Sequence, residues 1–382
     1  MPGIYVHIPF CKQACHYCDF HFSTTLKEKS KLLNALRKEI VLQREFFGPG
    51  RATLDTVYFG GGSPSILTGD EIKALMLEIE IHFSFAEDVE ITLEANPDDL
   101  DAEKLKALKE AGINRLSIGI QSFDDADLMW MNRVHSASQA VGSVKRAQQA
   151  GFSNITIDLI YGTPMLTDEQ WKKNLQTAFD LNVQHLSCYA LTVEPRTALA
   201  HRIQEKKEKN IDDKKQAMHF EMLMDMAEQN GFEQYEISNF AKDQKYSRHN
   251  SSYWRGEKYL GIGPSAHSYD GISRQWNVRN NMQYIQSLAE GNVPAETETL
   301  TPENKFNEYV MTSLRTMWGS NLETIRKNFG NEKAEGFFKQ AIQYMNEGMM
   351  LQQKQNFILT KKGKLFADRI AAEMFVINSH GH

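Results

Sequence analysis

The sequence predicts an α/β protein with a parallel sheet, followed by a smaller α+β unit. Six short apolar segments, rich in Ile, Val, Leu and Tyr, alternate with amphipathic helical segments up to about residue 195. Strands buried on both faces have this composition, and consecutive βα units imply parallel strands joined by right-handed crossovers. An open sheet and a curved, partial barrel both satisfy the pattern. The predicted strands are residues 3–8, 54–60, 89–96, 115–122, 155–162 and 185–192.

Capping signals mark the helices between these strands. Thr68 and Glu71 have the spacing of a capping box at the start of residues 68–83. The segments 101–112 and 167–181 also begin with residues that commonly cap helices. Each helix is long enough to cover one face of the predicted sheet.

The alternation ends after about residue 195. A pair of charged helices is expected at about 197–231, and a stretch rich in glycine and aromatic residues follows at 246–278. From about residue 300, three helices, a hairpin and a final helix resemble a winged helix. This unit has no strongly basic recognition helix, which favours a structural or partner-docking role over DNA binding.

We therefore predict three regions. They are a barrel-like unit over residues 1–240, a connecting region over 241–295, and a winged-helix-like α+β domain over 296–378. The terminal NSHGH segment is expected to be disordered.

Charge and hydropathy exclude several classes of protein. The chain has 382 residues and a formal net charge of −6, which argues against nucleic-acid binding because that normally requires a basic surface. No window reaches the roughly 18 to 20 apolar residues of a membrane span, and the first residues do not form a secretory signal. We expect a cytoplasmic protein with reduced thiols, and a peripheral position at the membrane is the alternative.

Three of the four cysteines lie within eight residues. Cys11, Cys15 and Cys18 follow the first predicted strand directly, and three soft ligands suit a zinc ion or an iron–sulfur cluster. His16 and His21 are near enough to suggest a fourth zinc ligand, but both lie inside the loop without the usual paired spacing. The Cys15–Cys18 spacing also fits a thioredoxin-like motif, although the third cysteine would then be surplus.

Cys188, the fourth cysteine, lies in an apolar strand. We expect it to be buried and inert, because free cysteine is among the most buried residue types.

Polar and glycine residues stand at or near the carboxyl ends of the predicted strands. In a parallel barrel these ends share one rim, where functional sites are built. The triglycine Gly60–Gly62 would let backbone approach a ligand or turn sharply. The other rim positions are Glu94, Gln121, Asp158 and Tyr189–Ala190.

The cysteine spacing resembles that of the radical S-adenosylmethionine (SAM) superfamily. In those proteins, a Cys-x3-Cys-x2-Cys loop after the first strand holds a [4Fe-4S] cluster, and the iron without a cysteine ligand binds the amino and carboxylate groups of SAM. An electron from the cluster can then cleave the sulfonium. The resemblance implies a partial (β/α)6 barrel over roughly residues 1–240.

Further segments are similar to one branch of that superfamily, which contains oxygen-independent coproporphyrinogen III oxidase and the HemW-type heme chaperones. They include YVHIPFC, GGGSPS, EANP, GIQSF, NRVH, IDLIYGTP and HLSCYALTVEP. By this resemblance, Tyr5 would lie beside the cluster and Tyr17 would pack on the adenine. The complete set of implied SAM-binding residues is Tyr5, Tyr17, Gly61, Gly62, Ser63, Glu94, Gln121, Arg133, Asp158 and Ala190.

Two differences from the oxidases argue against coproporphyrinogen decarboxylation. The oxidases have a further cysteine two residues after the third cluster ligand, where this sequence has Phe20. They also have a long N-terminal extension, whereas only ten residues precede Cys11 here.

The segment HNSSYW at 249–254 matches a motif of the heme-binding branch and implies heme contacts from His249, Tyr253 and Trp254. An imidazole can ligate heme iron, and aromatic rings can cover a porphyrin face. A hydrogen-bonded structural role for His249 is the alternative, and His267 is a rival ligand.

Three functions remain open at this point. The first is a heme chaperone that contains a [4Fe-4S] cluster, binds SAM and delivers heme to respiratory proteins, with a homodimer as one allowed assembly. The second is a radical SAM enzyme that resembles coproporphyrinogen III oxidase. The third is a zinc-stabilised scaffold.

Overall fold

Six parallel strands form the centre of the molecule, as the sequence predicts. The computed structural model describes residues 2–376, and each predicted strand overlaps an observed one. The six strands pair in chain order, each parallel to the next. They are β1 (Gly3–Ile8), β2 (Thr53–Gly61), β3 (Ser84–Ala95), β4 (Arg115–Gln121), β5 (Asn154–Tyr161) and β6 (His185–Ala190).

Helices connect these strands and cover the outer face of the sheet. The predicted capping box forms, because the Thr68 side chain accepts from the Glu71 amide while the Glu71 carboxylate accepts from the Thr68 amide. The helices are α1 (Lys29–Leu42), α2 (Gly69–His82), α3 (Ala102–Glu110), α4 (Asp125–Trp130), α5 (Ala137–Gln149) and α6 (Asp168–Asp180).

The second half of the chain extends both edges of the sheet. The predicted charged helices are α7 (Ala198–Gln204) and α8 (Asp213–Gln229), and they lead to β7 (Glu233–Glu236) and β8 (Asn239–Ala241). Strand β8 pairs antiparallel with β6, and β7 pairs with β8.

The glycine- and aromatic-rich stretch extends the opposite edge. It forms α9 (Arg248–Trp254), β9 (Tyr259–Ile262), β10 (His267–Tyr269), β11 (Ser273–Asn277), α10 (Asn281–Ala289) and β12 (Ala295–Thr299). Strand β9 runs parallel to β1, and β10, β11 and β12 follow in antiparallel order. Within residues 2–376 the sheet therefore has twelve strands and two free edges, and it does not close into a complete barrel. The division at residues 240 and 295 stays a prediction.

The C-terminal unit has its own hydrophobic core and a three-stranded sheet. Three helices and a hairpin are present as predicted, whereas the single predicted final helix is divided into two short helices, and one short strand was not predicted. Residues 377–378 and the NSHGH segment lie outside the described residues. The elements are α11 (Pro302–Leu314), β13 (Ser320–Asn321), α12 (Leu322–Phe329), α13 (Asn331–Asn346), β14 (Met350–Gln353), β15 (Asn356–Leu359), α14 (Lys361–Lys364) and α15 (Ala367–Glu373).

None of the helices within residues 2–376 combines the length and apolarity that crossing a membrane demands.

Side chains alternate between two environments along the parallel strands. In β1, Ile4, Val6 and Ile8 are fully buried in the core between sheet and helices. Tyr5 and His7 point the other way, into the concave side that we call the lumen, where the Tyr5 hydroxyl lies 3.1 Å from His7 Nδ1. This period of two gives the lumen a polar lining on an apolar support.

A buried carboxyl group joins the edge strands to the barrel. Glu39 of α1 accepts hydrogen bonds from the Gly263 amide at 2.8 Å, the Asn277 side-chain amide at 2.6 Å and the Tyr284 hydroxyl. Burial raises the pKa of Glu39 to about 7, although the three donors oppose that shift. The β9–β11 extension therefore depends on a single acceptor group for several of its polar contacts with α1.

We predict that Glu39→Ala lowers the free energy of unfolding by about 3 kcal/mol, because it removes the common acceptor of three hydrogen bonds. Glu39→Gln is expected to be milder, since one side-chain oxygen remains. The wild-type carboxyl has a higher pKa in the folded chain than in the unfolded one, so its contribution to stability decreases as pH rises from about 4.5 to 7. Urea unfolding at several pH values measures both effects, with Glu45→Ala on the exposed surface as the control. Equal stability of Glu39→Ala and Glu45→Ala would contradict this role.

Candidate functional site

The cysteine loop is fixed at its base by backbone hydrogen bonds. The Cys11 amide donates to the Ser23 carbonyl at 3.0 Å, and the Ser23 amide donates to the Pro9 carbonyl at 2.9 Å. The Cys18 amide donates to the Cys15 carbonyl at 3.3 Å, which turns the chain between two of the thiols. The loop therefore starts and ends at one point, directly above the carboxyl end of β1.

The turn after β2 holds the same loop from the other side. The Gly62 amide donates to the Ile8 carbonyl at 2.9 Å, and the Ser63 amide donates to the Phe10 carbonyl at 2.7 Å. A Cβ atom at Gly62 would lie only 2.5 Å from the Phe10 carbonyl oxygen. Gly61 has a φ of +115°, a conformation that favours glycine. Glycine is therefore needed here so that two backbone segments can touch.

The three loop thiols are partly exposed and lie close enough to influence one another. Burial raises the pKa of Cys11 to about 12, and the neighbouring Cys18 and Cys15 raise it further. The Arg133 Nη1 donates to Cys15 Sγ at 3.4 Å. This contact gives the Cys15 sulfur a hydrogen-bond donor that carries a positive charge.

The loop thiols and the histidines near them do not form a site for a single metal ion. Within residues 2–376, no group of three or more His, Cys, Asp or Glu side chains surrounds one point at metal-binding distance. His16 and His21 are bonded elsewhere, to the Trp130 carbonyl at 2.8 Å and to the Asn281 side chain at 2.7 Å. The donor set, three thiols in one loop, fits a cluster that spreads its iron atoms over several positions better than it fits one zinc ion.

Arg133 connects the loop to the rim of the sheet. Its Nη2 donates to the Gly119 carbonyl and to Asn96 Oδ1, both at 2.7 Å. Asn96 in turn donates to the Ser63 hydroxyl at 2.8 Å. Ser63, Arg133 and the loop cysteine Cys15, predicted separately from the sequence, thus belong to one hydrogen-bonded network.

Two carboxyl groups face the lumen below this network. Glu94 accepts from the Tyr58 hydroxyl at 2.8 Å and from the Gly61 amide at 3.1 Å. Asp158 accepts from the Ser117 hydroxyl at 3.2 Å. Burial raises the pKa of Glu94 to about 7 and that of Asp158 to about 6. These groups can accept hydrogen bonds from a ligand or stabilise a positive charge.

The remaining predicted SAM residues lie at the carboxyl ends of strands or in the loop. Gln121 ends β4 with a φ of 69°, where the pairing of β4 with β5 shifts register. Such strained backbone occurs often at functional sites. Ala190 ends β6, and Tyr17 packs against an apolar cluster that includes Leu191. Tyr5 lies deeper in the lumen, where its ring stacks against those of Tyr58 and His249, with centroids 6.0 and 6.3 Å away.

The HNSSYW segment forms α9, which closes the amino end of the lumen. His249 is buried, and its ring nitrogens lie 2.7 Å from the Thr56 hydroxyl and 2.8 Å from the Tyr253 hydroxyl. The Glu90 carboxylate accepts from the His249 amide at 3.2 Å. Burial lowers the pKa of His249 to about 3, so the ring is neutral near pH 7. Iron could bond this imidazole only after one of its hydrogen bonds had been broken.

The other two predicted heme residues are also engaged within the protein. Tyr253 packs edge-on against Tyr259, with ring centroids 4.5 Å apart. The Arg315 guanidinium lies over the Trp254 ring at 5.3 Å. His267, the rival ligand, is exposed on β10. Heme contacts from His249, Tyr253 and Trp254 stay a prediction, and they would require α9 to rearrange.

Two residues in this region were not predicted from the sequence. Asn96 links Arg133 to Ser63, and Tyr58 hydrogen-bonds Glu94. Asn96 lies in the EANP segment that was used to predict Glu94, so this segment could also have indicated Asn96. Tyr58 lies in the middle of a strand and showed no separate signal. Cys188 is buried, as predicted, and burial raises its pKa well above the usual value.

This fold and this rim define a radical SAM protein. The family model of the Radical SAM superfamily matches residues 5–178. Among solved structures, coproporphyrinogen III oxidase (HemN) from Escherichia coli, a radical SAM enzyme, superimposes with a TM-score of 0.84 at 25% sequence identity, covering 98% of this chain and 90% of that one.

Curated relatives assign the chain to one family within the radical SAM superfamily. The chain is 36% identical over 374 residues to the heme chaperone HemW of Bacillus subtilis, which covers 97% of this chain and 98% of that protein. It is 34% identical over 373 residues to the heme chaperone HemW of Mycobacterium tuberculosis H37Rv, covering 96% and 93%. The chain therefore belongs to the HemW family of radical SAM proteins.

We predict that Gly62→Ala loosens the cysteine loop, because the added methyl group would overlap the Phe10 carbonyl. Overpacking of this kind costs roughly 1–3 kcal/mol. Hydrogen exchange of residues 10–23 should become faster, and the unfolding midpoint should decrease. Gly336→Ala is the matched control, since a Cβ there meets open space and alanine favours a helix. Unchanged exchange in Gly62→Ala would show that the close approach of the two segments is not important.

Proposed function

We propose that this chain is an iron–sulfur, SAM-binding heme chaperone that binds heme and delivers it to respiratory proteins. The similarity over nearly the full length of both chains to proteins named heme chaperone HemW carries this proposal. The geometry of the rim supports the proposed binding of a cluster and SAM, because the three thiols, Arg133 and Glu94 lie together around the carboxyl ends of the parallel strands.

Cys11, Cys15 and Cys18 would hold a [4Fe-4S] cluster that keeps one iron free to bind SAM. When bound, such a cluster supplies one electron at a time. The protein's own contribution is to fix the loop through Gly62 and Ser63, and to place the Arg133 guanidinium against Cys15. Hydrogen bonds from positive groups to sulfur stabilise the thiolate ligands.

SAM would occupy the lumen between this loop and the two carboxyl groups. The amides of Gly61, Gly62 and Ser63 already donate hydrogen bonds within the protein. The turn would therefore bind the methionine end of SAM through backbone carbonyl oxygens, which accept hydrogen bonds from the ammonium group of SAM. Glu94 and Asp158 would face positive charge or ribose hydroxyls, with Gln121, Ala190 and the Tyr17 ring completing the surroundings. Tyr5 would support this site through Tyr58, on which it stacks.

A coproporphyrinogen oxidase-like enzyme is the second candidate, since HemN has a similar fold over most of both chains. Phe20 argues against it, because the sequence resemblance implies a cysteine at that position in the oxidases. The aromatic ring of Phe20 can neither ligate metal nor donate a proton.

The iron content of cysteine variants depends on which thiols hold the cluster. Cys11→Ala, Cys15→Ala and Cys18→Ala should each lose most of the bound iron and the absorbance near 400 nm of anaerobically purified protein, because each removes one of three ligands. Cys188→Ala is the matched control and should retain the wild-type iron content, since its thiol is buried elsewhere. Full iron content in Cys15→Ala would exclude the assigned ligand set, and colourless protein containing zinc would favour the scaffold.

SAM binding should depend on pH through the two buried carboxyl groups. Glu94 and Asp158 lose their negative charge as pH falls through about 7 and about 6, so affinity for the sulfonium cation should fall by roughly tenfold between pH 8 and pH 5.5. Glu94→Gln should bind more weakly at pH 8 and show a flatter profile. Equilibrium dialysis of cluster-loaded protein, with iron measured at each pH, tests this. The same steep profile in Glu94→Gln would mean that another group is responsible.

Hemin binding and porphyrinogen oxidation distinguish a chaperone from an enzyme. Purified protein should bind hemin at stoichiometric concentration with a shifted Soret band, and reduced, cluster-loaded protein should form no protoporphyrinogen from coproporphyrinogen III and SAM. Failure to bind hemin would reject the chaperone, and formation of protoporphyrinogen would establish the oxidase.

A further inference from the structure

An open groove lies between the cysteine loop and the segments that follow β6 and β11. Its cavity volume is about 330 Å³, and its walls include Cys15, Cys18, Asp19, Phe20, Arg196 and Arg279. We call it the rim groove. It lies beside the loop thiols, whereas α9 closes the amino end of the lumen.

Aromatic surface is exposed at the rim groove. The Phe20 side chain is 72% exposed, which is unusual for a large apolar residue, and Phe22 lines the groove beside it. Exposed apolar surface bordered by polar groups commonly marks a binding site. A flat, hydrophobic ligand would cover these rings without any change in the core.

Two arginines give the rim groove a positive charge. Arg196 Nη2 lies 3.3 Å from one carboxylate oxygen of Asp19, and Arg279 Nη2 lies 3.7 Å from the other. Both guanidiniums remain substantially exposed, at 69% for Arg196 and 40% for Arg279. One carboxylate thus balances two cations, so a ligand with two carboxylates would complement the groove better than Asp19 does alone.

We propose that the rim groove is the heme-binding site, with the porphyrin ring against Phe20 and Phe22 and the two propionates paired with Arg196 and Arg279. The proposal rests on the heme chaperone function proposed above and assigns a location to its ligand. Asp19 acts as a competitor that the propionates displace. In contrast to His249, these side chains are accessible without rearrangement of α9.

Titration of cluster-loaded, full-length protein with hemin, followed at the Soret band, tests the site. The double variant Arg196→Gln/Arg279→Gln should bind at least about tenfold more weakly, since two charge-assisted contacts are lost. Phe20→Ser should also weaken binding. Asp19→Asn should strengthen it by about threefold, because it removes the carboxylate that competes for both guanidiniums, while Arg279 keeps its bond to the Asp19 backbone carbonyl.

Matched controls make the result specific. Arg326→Gln/Arg369→Gln removes the same charge from exposed positions in the C-terminal unit and should bind hemin as wild type does. Hemin dimethyl ester lacks free carboxylates, so it should bind wild type more weakly than hemin and should not distinguish wild type from the groove variant.

The outcomes separate this proposal from the function on which it rests. No binding of hemin by wild type would overturn both. Binding by wild type with unchanged affinity in the groove variant would overturn the rim groove alone. Loss of binding only in His249→Ala, with circular dichroism unchanged, would likewise overturn it and assign the site to α9.

Discussion

The attachment of the cysteine loop to the glycine turn is the constraint on which the site depends. The three thiols keep fixed relative positions only if the loop that carries them has a fixed path. The amides of Gly62 and Ser63 fix that path by pairing with residues 8–10, and the absence of a side chain at Gly62 lets the two segments meet. The same turn brings the Gly61 amide to Glu94, so loop and lumen have one common support.

The lumen shows how a polar interior is maintained on an apolar scaffold. Buried polar groups are costly unless they have hydrogen-bond partners, and those of the amino end are largely paired with one another. His249 bonds two hydroxyls, and Glu90 accepts from the start of α9. Towards the carboxyl end, Glu94 and Asp158 are only partly buried and keep raised pKa values, which is typical of a functional site. One end of the lumen is thus closed by structural contacts, and the other is available to a ligand.

Local patterns in the sequence predicted the parallel strands, the capping box at Thr68 and the buried state of Cys188, since each depends on neighbouring residues. The edge strands β9–β12 were missed because their partners are distant in the chain: β9 pairs with β1, more than two hundred residues away. The environment of His249 also depends on a distant contact, with Thr56. Its motif therefore indicated a family but not a burial state. The exposure of Phe20 beside Arg196 and Arg279 likewise results from three separate loops.

Electron paramagnetic resonance of anaerobically purified, dithionite-reduced protein tests most directly whether the three loop thiols hold a cluster with an iron free for SAM. We expect the spectrum of a reduced [4Fe-4S] cluster, with g values that change when SAM is added, because the ligand binds the free iron. A protein that contains no such cluster, or a cluster whose spectrum is the same with saturating SAM, would contradict this account.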